Sequence, residues 1–429
     1  MSMRTMRGMI FLPICLATLA ASPGAKPAWV YEAIAYGKLA TPHEDAPAIL
    51  LLKSADVEIK RDGSANRTVL EVYKILSPQY SEDFRFVEWV NSDRKLKSLK
   101  GWRVDPKGHE FKLKKENIAQ IGLQQSSGYY DDQKQVVAFF DDLKSGDVVA
   151  FEYKIKQKKG IDGLFQNFLF QSDLPVIHAR FTVIIPEDWE LHKSSRNLDP
   201  IEFVQNSNQY EWRAENLEYR PDEPLMPPWS RLNRKLSVSA YDPSTGGAPQ
   251  FSNWQAVSKW AGELHRNPTN VNDSLAQLVA SLTDDLPTKR GKLGAIARYL
   301  QEEIRYVAVE FGVGRFQPRM ATTTFFNKYG DCKDKVTLMR AMLAQAGISA
   351  EPVLALVGGR VDRAFPTPFQ FNHVILGVPL SEFTSHRGWA GAESDGWLFF
   401  DPTDESTPVG CLPLQLYDSR VLPATSSIW

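Results

Sequence analysis

The spacing of apolar residues changes near residue 245, and this change constrains the fold more than any other feature. Before it, the pattern is mainly that of strands: apolar side chains recur at every second position of residues 149–155, as in a half-buried antiparallel strand. Beyond it, apolar side chains recur at helical spacing in three segments, 254–264, 275–282 and 293–304. Ser252 is the expected N-cap of the first, and residues 311–326 are expected to be loop. The sequence therefore predicts an α+β protein with an all-β, sandwich-like N-terminal domain.

The domain boundary is expected between residues 221 and 249, where prolines and glycines concentrate. We place the all-β domain at residues 29–241, whose last seven positions could form one more strand, and the second domain at residues 251–429. Within the first domain, Asp62-Gly63 separates two strand-like runs and predicts a hairpin. This domain carries no nucleophile motif, metal-ligand spacing or phosphate-binding glycine loop.

A cysteine opens a predicted helix in the second domain. The helix is expected to run from about Asp331 to Ala346, with Asp331 as N-cap and Gly347 as its left-handed stop. Cys332 then lies in the first turn, where free backbone N–H groups and the positive end of the helix dipole favour a thiolate. The alternative is a small buried residue, which is the commoner role of a lone cysteine at a helix start.

Two polar residues follow in an order that favours the catalytic interpretation. His373 opens one predicted strand, residues 373–378, and Asp401 follows another, residues 397–400. Cys, His and then Asp or Asn is the chain order of papain-like and transglutaminase-like enzymes. Taken alone, His373 could be a satisfied histidine at a strand start, and Asp401 a turn residue before a proline.

At these residues the chain resembles the bacterial transglutaminase-like superfamily, over about residues 254–413. The most specific part is Tyr-Gly-Asp-Cys-Lys-Asp-Lys at positions 329–335. The resemblance implies a papain/transglutaminase-like α+β domain in which Cys332 is the nucleophile, His373 the base and Asp401 its orienting carboxylate. The N-terminal domain resembles the uncharacterised all-β domain that often precedes such domains.

The implied reaction is acyl transfer from an amide through a thioester, by a peptidase, amidase or transglutaminase acting on a protein or peptide. The Cys332 N–H is the expected oxyanion donor, and Gln317 is a weaker candidate for the second. The other charged residues of the motif are expected to be caps or helix-surface charges without a chemical step. The rival interpretation is a non-catalytic interaction module on the same fold.

Composition and motifs bear on cofactors and partners. No calcium loop or cofactor motif is visible, so we predict a site without metal or cofactor. A formal net charge of −1 and a pI near 6.7 give no reason to expect nucleic acid. No stretch beyond the N-terminus is long and apolar enough to predict stable membrane insertion.

Residues 1–21 combine Arg4 and Arg7 with an apolar run that ends in small residues. This is typical of a secretory signal peptide. A lipoprotein would need Cys15 as its acylated residue, but the positions before it lack the expected small side chains. We therefore predict a periplasmic or secreted protein whose remaining cysteines, Cys332 and Cys411, are a reactive thiol and a bystander rather than a disulfide.

Overall fold

The computed structural model describes residues 27–37, 44–122, 129–131, 133–159, 161–198, 201–221, 223–224, 226, 232–245, 251–266, 269–310, 316–384, 389 and 392–425. The protein is about 27% helix and 37% strand, with a β-rich N-terminal region followed by a domain that contains most of the helix. This confirms the predicted α+β class. The predicted signal peptide lies outside the described residues. Within them, no helix is long and apolar enough to cross a membrane.

Among the residues that the structure describes, the N-terminal region consists mainly of strands, with a few short helices. The strands are β1 (Ala48–Ile59), β2 (Ala65–Ile75), β3 (Phe86–Val90), β4 (Arg94–Val104), β5 (Glu110–Lys112), β6 (Ile118–Gly122), β7 (Tyr129–Asp131), β8 (Lys134–Ala138), β9 (Val148–Gln157), β10 (Phe165–Leu169), β11 (Val176–Ile184), β12 (Glu190–Arg196), β13 (Glu202–Asn206), β14 (Gln209–Leu217) and β15 (Lys235–Tyr241). The helices are α1 (Ala28–Gly37), α2 (Pro78–Asp83) and α3 (Ile161–Leu164).

The main sheet has the order β13-β14-β11-β1-β2-β9-β4-β5. The predicted hairpin is present: β1 and β2 pair antiparallel, and Gly63 in their turn has φ of 76°, a conformation that glycine adopts without steric cost. Strands β1 and β11 pair in parallel. In β9 the alternate residues from Val149 to Ile155 are buried, as their spacing predicts.

Two small sheets, β3-β8-β6 and β10-β15-β12, cover one face of the main sheet. Phe86 of β3 packs on Phe151 with ring centroids 4.9 Å apart, and Phe168 of β10 packs on Phe181 at 5.0 Å. Both large-sheet phenylalanines are fully buried. This face-to-face packing of sheets is the sandwich-like arrangement that the alternating pattern predicts.

The opposite face of the main sheet is partly covered by α1, which the sequence analysis did not anticipate. Residues from Trp29 onward were expected to be strand-like, but Val30 and Ala33 of this helix are buried against Ile49 and Leu51 of β1. Helix α1 is short and mostly apolar, and periodicity alone does not distinguish such a run from a buried strand.

The second domain begins with helices and ends with a sheet. Its elements are α4 (Trp254–Arg266), α5 (Asp273–Thr283), α6 (Lys289–Glu303), β16 (Arg305–Tyr306), β17 (Ala308–Glu310), α7 (Ala321–Asn327), β18 (Tyr329–Gly330), α8 (Cys332–Gln345), β19 (Glu351–Ala355), β20 (His373–Pro379), β21 (Glu393–Ser394), β22 (Trp397–Phe400) and β23 (Val421–Pro423). The sheet order is β21-β22-β20-β19-β23, and its pairs are antiparallel. Helix α8 packs on β19 and β20.

Two details of the second domain differ from expectation. Residues 311–326 were predicted to be loop, but Ala321–Asn327 forms α7, whose Ala321 is buried beside the apolar face of α8. Ser252 was the expected cap of α4; instead the side chain of Asn253 accepts a hydrogen bond of 2.8 Å from the Ala256 N–H. The amide oxygen one position later has the reach to bond this N–H.

Candidate active site

The start of α8 is fixed by reciprocal hydrogen bonds. The Asp334 N–H donates to Asp331 Oδ1 at 3.2 Å, and the Asp331 N–H donates to Asp334 Oδ2 at 3.3 Å. This is a capping box, and it confirms Asp331 as the N-cap. Cys332 is therefore the first helical residue, at a position where the backbone N–H has no partner inside the helix. Its side chain is partly exposed.

The motif's charged residues are buried, which corrects the expectation of helix-surface charges. Relative exposure is 2% for Asp331, 4% for Lys333, 1% for Asp334 and 0% for Lys335. Buried charges need partners, and each of these side chains has one, although the partners are distant in sequence for two of them. This is why the motif alone suggested a solvated face.

The partners form two ion pairs and one hydrogen bond. Lys333 pairs with Asp331. Arg319 donates to Asp334 through its backbone N–H at 2.7 Å and through Nε at 2.8 Å. Lys335 Nζ donates to the Ile304 carbonyl at 2.7 Å. The helix that carries Cys332 is therefore held by charged groups as well as by apolar packing.

Two lysine pKa values respond to this burial in opposite directions. Burial by itself opposes the charge of Lys333, but the charges of Asp331 and Cys332 outweigh it and raise the pKa of Lys333. For Lys335, burial dominates and lowers the pKa to about 8, although the charges of Glu405 and Asp401 oppose the shift. Lys333 therefore stays a cation next to the sulfur throughout the neutral range.

His373 and Asp401 are brought together from two neighbouring strands. His373 is the first residue of β20, and Asp401 directly follows β22. His373 Nε2 lies 2.8 Å from Asp401 Oδ2, and the two side chains are 13% and 6% exposed. The other carboxylate oxygen of Asp401 accepts from Thr403 N–H at 2.9 Å and from its hydroxyl at 2.7 Å. The carboxylate is thus fixed on both sides.

Cys332 completes this group from the helix side. Burial would lower the pKa of His373, but hydrogen bonds to Asp401 and Cys332, and the charges of both, raise it to about 10. The imidazole is therefore a cation at neutral pH, lying between a carboxylate and a sulfur. The structure brings together the three residues that the sequence analysis singled out, although they lie far apart in the chain.

The remaining candidates are placed less decisively. Gln317 lies exposed in a short turn before Pro318, and its role as oxyanion donor stays a prediction. Cys332 and Cys411 are both free thiols, as predicted for these two positions. In the described part of the chain, no group of three or more His, Cys, Asp or Glu residues is arranged to hold a metal ion.

The residues that position this group were not predicted from the sequence. Arg319 and Thr403 bond to Asp334 and Asp401, and neither belongs to a recognisable motif. Gly330 gave a signal only through its place before the N-cap: a Cβ there would lie 2.6 Å from Asp334 Cβ and 3.0 Å from Thr324 Cγ2. A glycine is thus required for the close approach of β18 to α8.

Comparison with known protein families agrees with this architecture. Residues 276–402 match the transglutaminase-like superfamily, and residues 61–221 match DUF3857, a domain of unknown function with a solved structure. The chain is a transglutaminase-like protein in which an uncharacterised domain precedes the transglutaminase core. The resemblance inferred from the motif at residues 329–335 is therefore confirmed.

A solved structure shows a similar fold. A crystal structure from Parabacteroides distasonis, whose protein is described provisionally as a protease, has 15% identity and a TM-score of 0.65, over 86% of this chain and 72% of that chain. An M1 zinc metallopeptidase from Deinococcus radiodurans has 9% identity over 56% of this chain and 55% of its own, with a TM-score of 0.26, too low to support an argument. No curated protein matches the chain.

Replacing Gly330 by alanine tests whether the helix start depends on this close approach. The new methyl group would meet the Cβ of Asp334, which is fixed to the helix backbone, so we expect a loss of about 1–3 kcal/mol in the free energy of unfolding. Urea unfolding measures it. Gly294→Ala is the matched control, because a Cβ there meets nothing within 4 Å inside α6 and alanine favours helix by about 1 kcal/mol. Equal effects of the two variants would contradict this account.

Proposed function

We propose that the protein is a cysteine-dependent acyl transferase or amide hydrolase in which Cys332, His373 and Asp401 act together. The observation that carries the proposal is the position of His373, which contacts Asp401 through Nε2 and shares a hydrogen bond with Cys332. Because Nε2 faces Asp401, Nδ1 is the nitrogen left for the sulfur. A base that is oriented by a carboxylate needs one ring nitrogen for the nucleophile and the other for the carboxylate, and His373 meets this requirement.

The chemistry divides into two steps. The Cys332 thiolate attacks the amide carbonyl carbon, and the imidazolium of His373 gives its proton to the departing amine, which leaves a thioester on the sulfur. Water or an amine then attacks the thioester; His373 takes the acceptor's proton, and the Cys332 thiolate leaves. Asp401 keeps its charge throughout and holds the imidazole in the required tautomer.

Charge placement around the sulfur supports this assignment. The imidazolium of His373 and the ammonium of Lys333 both interact with Cys332, and the sulfur lies at the positive end of α8. All three features favour a negative sulfur over a neutral one. The Cys332 N–H is free of intrahelical bonds and is suited to bind the oxyanion. Gln317 remains the candidate for the second donor.

The acceptor defines the enzyme class. Hydrolysis would make the protein a peptidase or amidase, and transfer to an amine would make it a transglutaminase, since both routes use the same three residues. The provisional description of the Parabacteroides protein as a protease is consistent with water as the acceptor. A protein or peptide amide is the proposed substrate, and the steps above use no metal or cofactor.

The competing function is a non-catalytic interaction module. Such a module would have the same fold, but its function would not require a charged sulfur beside a buried imidazolium. Thiol reactivity therefore separates the two functions more directly than a search for substrates would.

Alkylation of the full chain with iodoacetamide across pH tests the proposal. We expect alkylation of Cys332 to persist well below the pH at which an ordinary thiol, with a pKa of about 8.5, stops reacting. His373→Ala should confine the reaction to higher pH, because the sulfur loses its cationic partner. Asp401→Ala should have a smaller effect on alkylation yet still slow turnover, since it removes only the orienting carboxylate. Peptide mass mapping assigns the modified cysteine.

Two further variants complete this test. Cys332→Ser should abolish acyl transfer with little change in the thermal transition. Cys411→Ser is the control, because this second free thiol has no place in the chemistry. A Cys332 profile that matches that of Cys411 and ignores His373 would contradict the enzyme and favour the interaction module.

We extend the proposal to location on the basis of residues 1–21. Their charged start, apolar run and small residues predict removal during export to the periplasm or the medium. Mature protein recovered from the exported fraction should begin near Ala21 or Ser22, as N-terminal sequencing would show. An intact Met1 on protein confined to the cytoplasm would contradict this.

A further inference from the structure

Five aromatic side chains form a closed ring at the junction of the two domains. Phe165 lies on β10 of the N-terminal domain, Phe251 precedes α4, Trp260 lies on α4, and Phe316 and Phe369 lie on segments of the transglutaminase-like domain. Ring centroids are separated by 4.9 Å for Phe165–Phe369, 5.6 Å for Phe369–Phe316, 5.3 Å for Phe316–Trp260, 5.4 Å for Trp260–Phe251 and 6.0 Å for Phe251–Phe165. These are favourable separations for aromatic pairs.

Phe369 connects the ring to His373. It lies in the 3-10 turn Pro368–Gln370, and β20 begins with His373 shortly after this turn. Gln370 fixes the turn: its Nε2 donates to the carbonyls of Asp362 at 3.0 Å and Phe365 at 2.6 Å, and its Oε1 accepts from the Asp362 N–H at 2.6 Å. A shift of Phe369 would therefore move the start of the strand that carries the imidazole.

Phe316 connects the ring to Cys332. It lies three positions before Arg319, whose backbone N–H and Nε both bond to Asp334 in the capping box of α8. The ring therefore touches the segments that lead to both reacting side chains. Phe165 is the member that the N-terminal β domain contributes.

Polar contacts from β12 reinforce the same junction. Ser194 Oγ donates to Asp362 Oδ2 at 2.8 Å, and Arg196 Nη2 donates to the Arg360 carbonyl at 3.3 Å. His192 stacks on Phe365 with centroids 5.7 Å apart. The N-terminal domain thus holds the loop between β19 and β20 through a hydroxyl, a guanidinium and an imidazole ring.

A second connection reaches the nucleophile through the backbone. The segment 305–310 pairs first with β18, where Tyr306 is registered with Gly330 and the Val307 N–H donates to the Gly330 carbonyl at 2.9 Å. It then pairs in parallel with β7 of the N-terminal domain, where Ala308 is registered with Tyr129. One short segment thus contacts the strand that leads directly to Cys332 and also a strand of the β domain.

From these contacts we infer that the N-terminal β domain is part of the catalytic scaffold, and that Phe165 is a positioning residue for Cys332 and His373. The inference rests on the proposed function in that the aligned pair is the reacting pair. It assigns a role to the domain of unknown function: that domain holds the segments before the nucleophile and before the base in register with each other.

The alternative is an ordinary domain interface, which would stabilise both domains without affecting the alignment of the two side chains. The two cases differ in where loosening occurs when Phe165 is truncated. If Phe165 is a positioning residue, its truncation should loosen residues 316–330 and 365–376 selectively. If it is an ordinary interface contact, its truncation should loosen both domains or neither.

The experiment uses full-length Phe165→Ala, Phe165→Tyr and the control Phe203→Ala. Phe203 is an aromatic residue of the same domain, 39% exposed, that packs on Trp212 and lies outside the ring. Two quantities are measured: the rate of Cys332 alkylation by iodoacetamide at pH 6, and amide hydrogen exchange by mass spectrometry.

We expect Phe165→Ala to slow alkylation about tenfold, since displacement by about 1 Å can cost roughly a hundredfold in a reaction that depends on geometry. Exchange should rise in residues 316–330 and 365–376 and stay unchanged elsewhere. Phe165→Tyr keeps the ring and should restore both quantities, and Phe203→Ala should match the wild type.

The inference is overturned if Phe165→Ala matches the wild type in both measurements, or if its exchange rises evenly across both domains. An equal loss in the alanine and tyrosine variants would also overturn it. A wild-type Cys332 that does not react at pH 6 would instead refute the proposed function, and hydrogen exchange alone would then decide whether Phe165 positions the two segments.

Discussion

The contact between the buried imidazolium of His373 and Asp401 is the interaction on which the arrangement of the candidate active site depends. A charged ring that is largely withdrawn from water is costly unless its partners are fixed in advance. Asp401 is fixed by Thr403, and Cys332 by the capping box at the start of α8.

The charge of His373 also makes the stability of the fold depend on pH. Because the pKa of His373 is raised to about 10 from an unfolded value of about 6.5, the stabilisation from this charge is complete below about pH 6.5 and is lost as the pH rises through 10.

The start of α8 shows how a helix that carries such a group can be buried. Its acidic side chains at Asp331 and Asp334 pair with Lys333 and Arg319. Lys335 donates to a carbonyl and interacts electrostatically with Glu405 and Asp401. Removing one partner of such a pair leaves an uncompensated charge in the interior. The motif therefore serves two purposes at once: it seats the sulfur, and it balances the charge around it.

Much of the fold could be predicted from the sequence, because the local spacing of apolar residues and glycines determines it. The period-2 pattern of β9, the glycine in the β1–β2 turn and the apolar face of α8 each reflect contacts that the local spacing dictates. The strand Lys235–Tyr241 and the strand Trp397–Phe400 have the bounds that were expected. Cys332, His373 and Asp401 were predicted as a group from their order in the chain and from the resemblance, and the structure places them close together. Their roles remain a proposal.

What the sequence did not reveal depends on long-range contacts. The bond from Lys335 to the Ile304 carbonyl, the bond from Arg319 to Asp334 and the aromatic ring through Phe165 each join segments whose pairing no local pattern encodes. Helix α1 was missed because its ten residues are short and mostly apolar. The positioning role inferred for the N-terminal domain was not predictable from the sequence for the same reason. It depends on the contacts of β7 and β10 with segments of the transglutaminase-like domain.

The central claim is that His373 is a cation at neutral pH because it lies between Asp401 and Cys332. Titration of the His373 imidazole by NMR in isotopically labelled full-length protein tests this most directly, with His373→Gln used to assign the signal. The account predicts an apparent pKa near 10, and a lower pKa in both Asp401→Asn and Cys332→Ala, since each variant removes a partner that favours the charged ring. A His373 that titrates near 6.5 in the wild type, or one that is indifferent to both variants, would contradict the account.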